Sequence, residues 1–173
     1  RAFAVNTTGP ENLARAAAAH NILLVHYSTD YVFDGKKESG LYDESDSPNP
    51  LGAYGMSKLH GEQAVCANSP RNLVLRLSWV FGEGSQNYIH KIIQWSQNAE
   101  YLKATCDEFS VPTSTRTIVA VTLKALEQKL AGLYHLTNSG FCSRYEWTKL
   151  VLETLGIQKV VRPLHLDAFK PIN

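Results

Sequence analysis

Ile22-Leu-Leu-Val-His-Tyr27 is a short, nearly continuous apolar run, followed by a polar stretch from Ser28 to Gly52 and a helix-forming segment from Tyr54 to Ala67. A run this short, without helical spacing, suits a strand covered on both faces, as in a parallel sheet. Leu73-Val-Leu-Arg-Leu77 repeats the pattern after the helix. The unit is therefore strand, long loop, helix, strand. Upstream, the alanine-rich segment Glu11 to His20 predicts a helix, with Thr8 and Glu11 at capping-box spacing. The run Ala2 to Asn6 is also compatible with helix. Downstream, helices are expected over Tyr88–Trp95, Thr117–Leu130 and Ser143–Leu155, and strands over Tyr101–Thr105 and Gly132–Leu136. The last helix opens on a Ser143/Glu146 capping box and stops before Gly156. Such alternation predicts an α/β fold built on a doubly wound, mostly parallel sheet. Ligands in these folds bind beyond the carboxyl ends of strands, which points to Ser28–Phe33 and Ser78–Gly84.

Composition removes several classes of function. Hydrophobic residues are 44% and charged residues 19% of the chain, the balance of a folded globular protein. Lysine plus arginine number 17 against 16 aspartates and glutamates, with no basic stripe, so neither nucleic acid nor a membrane surface is an expected partner. No apolar stretch approaches the length of a membrane span. Cys66, Cys106 and Cys142 lie far apart and form no CxxC pair, which predicts reduced thiols and a cytoplasmic protein. The histidines show no HExxH spacing, and no metal is expected.

The chemistry begins with Tyr54 and Lys58, four residues apart and therefore on one face of the expected helix. Free tyrosine, with a pKa near 10, is a poor acid at neutral pH, but an adjacent ammonium stabilises its phenolate. Such a pair can protonate a ketone oxygen as hydride reaches its carbon. Alone, Tyr-x-x-x-Lys also describes any exposed helix pair. Thr29, at the carboxyl end of the first strand, adds a hydroxyl able to hold the same oxygen.

Three blocks narrow the reading: Ser28-Thr-Asp-Tyr-Val-Phe-Asp-Gly35, Tyr54-Gly-Met-Ser-Lys-Leu-His-Gly-Glu62 and Leu75-Arg-Leu-Ser-Trp-Val-Phe-Gly82. Together with Ala4-Val-Asn6, Asn87-Tyr88, Val111-Pro-Thr113 and Gly132-Leu-Tyr-His-Leu-Thr-Asn138, they resemble the dTDP-4-dehydrorhamnose reductase family of extended short-chain dehydrogenases. The resemblance covers almost the whole chain. It implies a Rossmann-like fold, with residues 1–82 as the later part of the dinucleotide-binding domain. Residues 83–173 are then mainly a substrate-binding lobe, interleaved with the last elements of the sheet. It implies reduction of the C4 ketone of dTDP-4-dehydro-6-deoxy-L-mannose to dTDP-L-rhamnose by NADPH or NADH. In that pattern Thr29, Tyr54 and Lys58 are catalytic, and Asn6, Ser28, Tyr54 and Lys58 meet the cofactor. Thr29, Asp30, Tyr31, Trp79 and Asn87 meet the dTDP-sugar. A homodimer is implied by the resemblance alone.

The chain departs from the family in one large respect. No strand leads into a Gly-rich turn of the kind that receives a cofactor pyrophosphate at a helix N-terminus. With Arg1 in place of an initiator Met, the expectation is an internal piece of a longer reductase, lacking the first strands of the sheet. Smaller departures are Asp107-Glu-Phe-Ser110, where the family has Gln and Gly, and Arg116, near where some relatives place a metal-binding glutamate. Two alternatives stand beside the reductase. One is a reductase or epimerase of another nucleotide sugar. The other is a non-catalytic subunit resembling the regulatory subunit of methionine adenosyltransferase, which Ser78-Trp79-Val80 and the intact Thr29 argue against.

Overall fold

The computed structural model describes residues 1–169. In chain order the strands are β1 (Val25–Thr29), β2 (Leu73–Leu77), β3 (Val80–Phe81), β4 (Leu102–Thr105), β5 (Phe109–Ser110), β6 (Thr113–Ser114), β7 (Gly132–His135), β8 (Cys142–Ser143) and β9 (Val161–Leu164). The α-helices are α1 (Gly9–Ala19), α2 (Ala53–Asn68), α3 (Tyr88–Asn98), α4 (Thr115–Glu127) and α5 (Arg144–Thr154). The α/β expectation holds, and every strand pair but β5–β8 is parallel. No helix among the described residues is long and apolar enough to cross a membrane.

The chain forms two compact units. The first comprises Arg1–Ser78 and Val119–Thr137, the second Trp79–Ile118 and the chain from Asn138 onward. The first holds a parallel sheet in the order β1-β2-β7, with Thr29 opposite Leu77 at the strand ends. Its central strand is the most apolar, and Leu73, Val74 and Leu75 are buried. Val74 packs with Ala14 of α1 and Val65 of α2, so small residues on α1 allow close packing. The second unit contains the pairs β3–β6, β4–β9 and β5–β8. Its core gathers Trp79, Ile92, Leu102, Trp147, Val151 and Leu152. There α5 begins on the expected capping box of Ser143 and Glu146.

Two local expectations are corrected. Thr8 is not a helix cap: it lies in the helical region and makes no capping bond, and a π-helical segment, Ala4–Thr8, runs straight into α1. Pro10 has no N–H to give the Asn6 carbonyl four residues back, and a widened turn accommodates that loss. Glu11 instead pairs with Arg15 one turn on. Strand β1 also starts three residues later than Ile22. Asn21 takes a left-handed conformation (φ 58°) and the Ile22 N–H returns to the Ala17 carbonyl at 2.8 Å, so both residues terminate α1.

The polar stretch before α2 is an ordered loop. Asp34 accepts from the Lys36 N–H, the Tyr42 hydroxyl and the Asn49 amide at 2.7–2.9 Å. These donors hold its carboxyl well below the usual range, at about 2.

Candidate active site

The carboxyl end of β1 and the first turns of α2 carry the expected acid–base residues in one unit. After Thr29 the chain makes a single 3-10 turn, Asp30–Val32, with the Thr29 hydroxyl accepting from the Tyr31 N–H at 3.2 Å. That hydroxyl donates in turn to the Asp30 carboxylate at 3.2 Å. Ser78, at the end of β2, donates to the other Asp30 oxygen at 2.9 Å. Two strand ends are thus tied through one carboxylate.

Helix α2 approaches this turn where its glycines allow it. A Cβ on Gly55 would lie 2.2 Å from the Tyr31 carbonyl oxygen, and one on Gly61 would lie 2.1 Å from that of Asn6. Backbone atoms cannot step aside from such contacts, so both positions require glycine. Between them Ser57 is fully buried. Its hydroxyl donates to the Tyr54 carbonyl at 2.8 Å and accepts from the Asn6 amide at 3.1 Å, while Thr7 donates to its carbonyl. The tyrosine's turn of helix is therefore pinned to the π-helical segment.

Tyr54 remains half exposed, its ring meeting Tyr31 edge-on at 6.1 Å between centroids. Lys58 reaches the middle of β1 and donates from Nζ to the Tyr27 carbonyl at 2.5 Å. Burial lowers its pKa, and the Glu62 carboxylate opposes that shift. Glu62 is itself buried and forms a two-point ion pair with Arg76 of β2, at 3.0 and 2.8 Å. Thr29 and Ser28 are both buried at the strand end, and the Ser28 hydroxyl has no hydrogen-bond partner among the described residues. That hydroxyl is an orphaned buried polar atom, able to donate to or accept from the polar edge of a bound nucleotide.

Trp79 and Asn87 lie in the second unit. Trp79 is buried with a positive φ of 33°, rare for a bulky side chain. It stacks on Trp147 at 5.6 Å with the Arg144 guanidinium 3.6 Å from its ring centre. Asn87 caps α3 by accepting from the His90 N–H at 3.1 Å, and its amide donates to the Gly82 and Gly84 carbonyls.

Sequence reasoning gave no role to Gly55, Ser57, Gly61, Glu62 or Arg76, and it placed Ser78 at a strand end without its bond to Asp30. The available signal was two glycines inside a helix, each unfavourable by about 1 kcal/mol relative to alanine and so in need of a packing reason.

The profile of the family described as RmlD substrate binding domain matches residues 1–172. A dTDP-4-dehydrorhamnose reductase of Aggregatibacter actinomycetemcomitans is 36% identical over 171 residues, which is 95% of this chain and 58% of that protein. Among solved structures, a dTDP-4-dehydrorhamnose reductase from Clostridium acetobutylicum superposes with a TM-score of 0.91 at 36% identity, covering 95% of this chain and 58% of that one. The Bacillus anthracis dTDP-4-dehydrorhamnose reductase in complex with NADP gives 0.90 at 32% identity, again with 95% and 58% covered. The chain spans a little over half the length of these relatives.

Proposed function

The chain belongs to the RmlD substrate binding domain family, and from that premise we propose that it carries the proton-delivering part of a nucleotide-sugar ketone reductase. The reaction is reduction of the C4 ketone of dTDP-4-dehydro-6-deoxy-L-mannose to dTDP-L-rhamnose by the complete protein. The observation that carries this reading is the convergence on one strand end of the buried Thr29 hydroxyl, the Lys58 ammonium on the Tyr27 carbonyl, and Tyr54 one helical turn away. NADPH is the proposed cofactor ahead of NADH, because a relative of this fold is seen with NADP.

The reduced nicotinamide supplies the hydride. Everything else falls to the chain. Tyr54 gives its phenolic proton to the C4 oxygen as negative charge develops there. Lys58, anchored by Tyr27, places a positive charge beside the resulting phenolate and offers its remaining protons to the cofactor ribose. The Thr29 proton that Asp30 accepts at 3.2 Å is the one a substrate oxygen would take instead. Ser28 and the Asn6 carboxamide oxygen are assigned to the nicotinamide end, Asp30 and Tyr31 to the sugar. Trp79 and Asn87 stay in the proposal as sugar contacts with less support, since packing and capping already occupy them. The three cysteines are free thiols, which supports the cytoplasm as the compartment.

The test follows NADPH absorbance with the complete protein and the dTDP-linked keto sugar. Oxidation of one NADPH per sugar reduced is expected, with loss of turnover in Tyr54→Phe. A folded complete protein that oxidises no NADPH overturns the reading. Turnover confined to UDP- or GDP-linked sugars moves it to another nucleotide sugar. Sedimentation of the same protein checks the homodimer that the family resemblance implies.

A further inference from the structure

The second unit holds a cluster of metal-ligating side chains that the reductase chemistry does not use. Strands β4 and β9 run parallel, with Thr105 opposite Leu164 at the end of the register. One residue beyond β4, the Cys106 N–H donates to the carbonyl of Leu164, the last residue of β9, at 2.9 Å, so the pairing holds to the ends of both strands. This register brings Cys106-Asp107 beside His165, 58 residues away in sequence. The Cys106 sulfur, an Asp107 carboxylate oxygen and a His165 ring nitrogen all lie within 4.8 Å of one another.

Asp107 is held on both sides. One oxygen accepts from the Leu166 N–H at 2.8 Å, and the other meets His165 Nδ1 at 3.1 Å. His165 opens the 3-10 turn Leu166–Phe169, whose Ala168 N–H returns to the His165 carbonyl at 3.0 Å. The backbone beneath the three donors is therefore fixed by hydrogen bonds, while the exposed imidazole is bonded to Asp107 and otherwise open to solvent.

The geometry points to a binding site for a divalent transition ion of borderline softness, zinc above all, with Cys106, Asp107 and His165 as its protein ligands. Zinc–ligand bonds of about 2.0–2.3 Å in a tetrahedron put neighbouring donors roughly 3.3–3.7 Å apart. The cluster is within about 1 Å of that spacing, a gap that rotation of His165 can close. Three ligands leave a fourth position for water. Magnesium and calcium are disfavoured because a thiolate is a poor ligand for hard cations that require oxygen. Binding releases the Cys106 proton to solvent, and the neutral imidazole carries its one proton on Nε2 while Nδ1 meets the metal. The Leu166 N–H on the free Asp107 oxygen then orients the ligating carboxylate from behind.

The site does not depend on the reductase reading, so each can fail alone. The complete, reduced, chelator-treated protein is titrated with Co²⁺ as an optical probe and then with Zn²⁺. Expected is one thiolate-to-cobalt charge-transfer band per chain, bleached by one equivalent of Zn²⁺. The band should vanish in Cys106→Ser, survive in the Cys66→Ser/Cys142→Ser double variant, and need at least tenfold more Co²⁺ in His165→Ala. His165 is exposed, so that variant keeps the test valid if Cys106→Ser misfolds. No band at a tenfold excess of Co²⁺, or a band that survives Cys106→Ser or is unmoved in folded His165→Ala, overturns the site. In that case Asp107 and His165 form only a surface hydrogen bond.

Discussion

Tyr54→Phe takes away one oxygen and leaves the ring that meets Tyr31, so it separates proton delivery from packing. A loss of about 10²–10⁴-fold in kcat is expected from removing a positioned general acid, with KM little changed, measured by steady-state NADPH oxidation in the complete protein. Thr29→Val should cost about tenfold in kcat/KM, the worth of one hydrogen bond to the reacting oxygen. The same change strips the Tyr31 N–H of its acceptor, so about 1 kcal/mol of stability should go with it in a denaturant titration. Equal kcat/KM for Thr29→Val and the parent would remove Thr29 from the site. The positions of Tyr54, Lys58 and Thr29 were legible because spacing on a helix and position at a strand end are local properties. Ser57 and Ser78 were not, because their hydroxyls matter only for what reaches them from other elements.

Helix α2 decides whether those residues meet, and its glycines decide how closely it approaches. An alanine in place of glycine normally stabilises a helix interior by about 1 kcal/mol. At Gly61 the sign should reverse, because the new methyl would sit 2.1 Å from the Asn6 carbonyl oxygen. Overpacking of this kind costs on the order of 1–3 kcal/mol. Urea unfolding of Gly61→Ala should therefore show a lower midpoint; a raised one would mean that the helix is not seated as described. The existence and type of α2 were plain from its helix formers. Its distance from the Ala4–Thr8 segment was not, since no periodicity reports how near two backbones come. The start of α1 was misread for a related reason. Thr8 has the chemistry of a cap, but the helix already runs through it from Ala2, and only the hydrogen-bond pattern around Pro10 reveals this.

Across the first unit, the ion pair of Glu62 and Arg76 joins α2 to the central strand with both side chains buried. Arg76→Met leaves the Glu62 charge enclosed and unpaired, a change expected to cost about 3–5 kcal/mol. The double variant Arg76→Met/Glu62→Leu should recover most of that loss, because the desolvation of both charges disappears together. Comparison of the three unfolding midpoints checks this, and an unrecovered double variant would assign the pair a role in specifying the packing. The pH dependence belongs to the same scale. His26 is held down from 6.5 to about 4, first by burial and then by the Lys58 charge, with Glu62 opposing. His135 is shifted in the same direction, mainly by burial. Between pH 6.5 and 4 the unfolded chain binds a proton that folded His26 refuses, so stability is full above that window and falls as pH drops through it. The urea midpoint should be lower at pH 5 than at pH 7.5, and His26→Gln should flatten the difference. A midpoint that does not move with pH would contradict the burial of His26.

The α/β class, the parallel strands β1 and β2, the capping box of α5 and the Tyr54–Lys58 pair were set by local sequence. Each follows from side-chain period, capping chemistry or helical spacing over at most a few turns. Tertiary structure alone decided what surrounds them. The Asp30–Ser78 link, the Glu62–Arg76 pair and the approach of His165 to Cys106 and Asp107 join residues 14 to 59 positions apart. Strand register and close helix approach create such contacts, and neither is encoded in the spacing of any one segment.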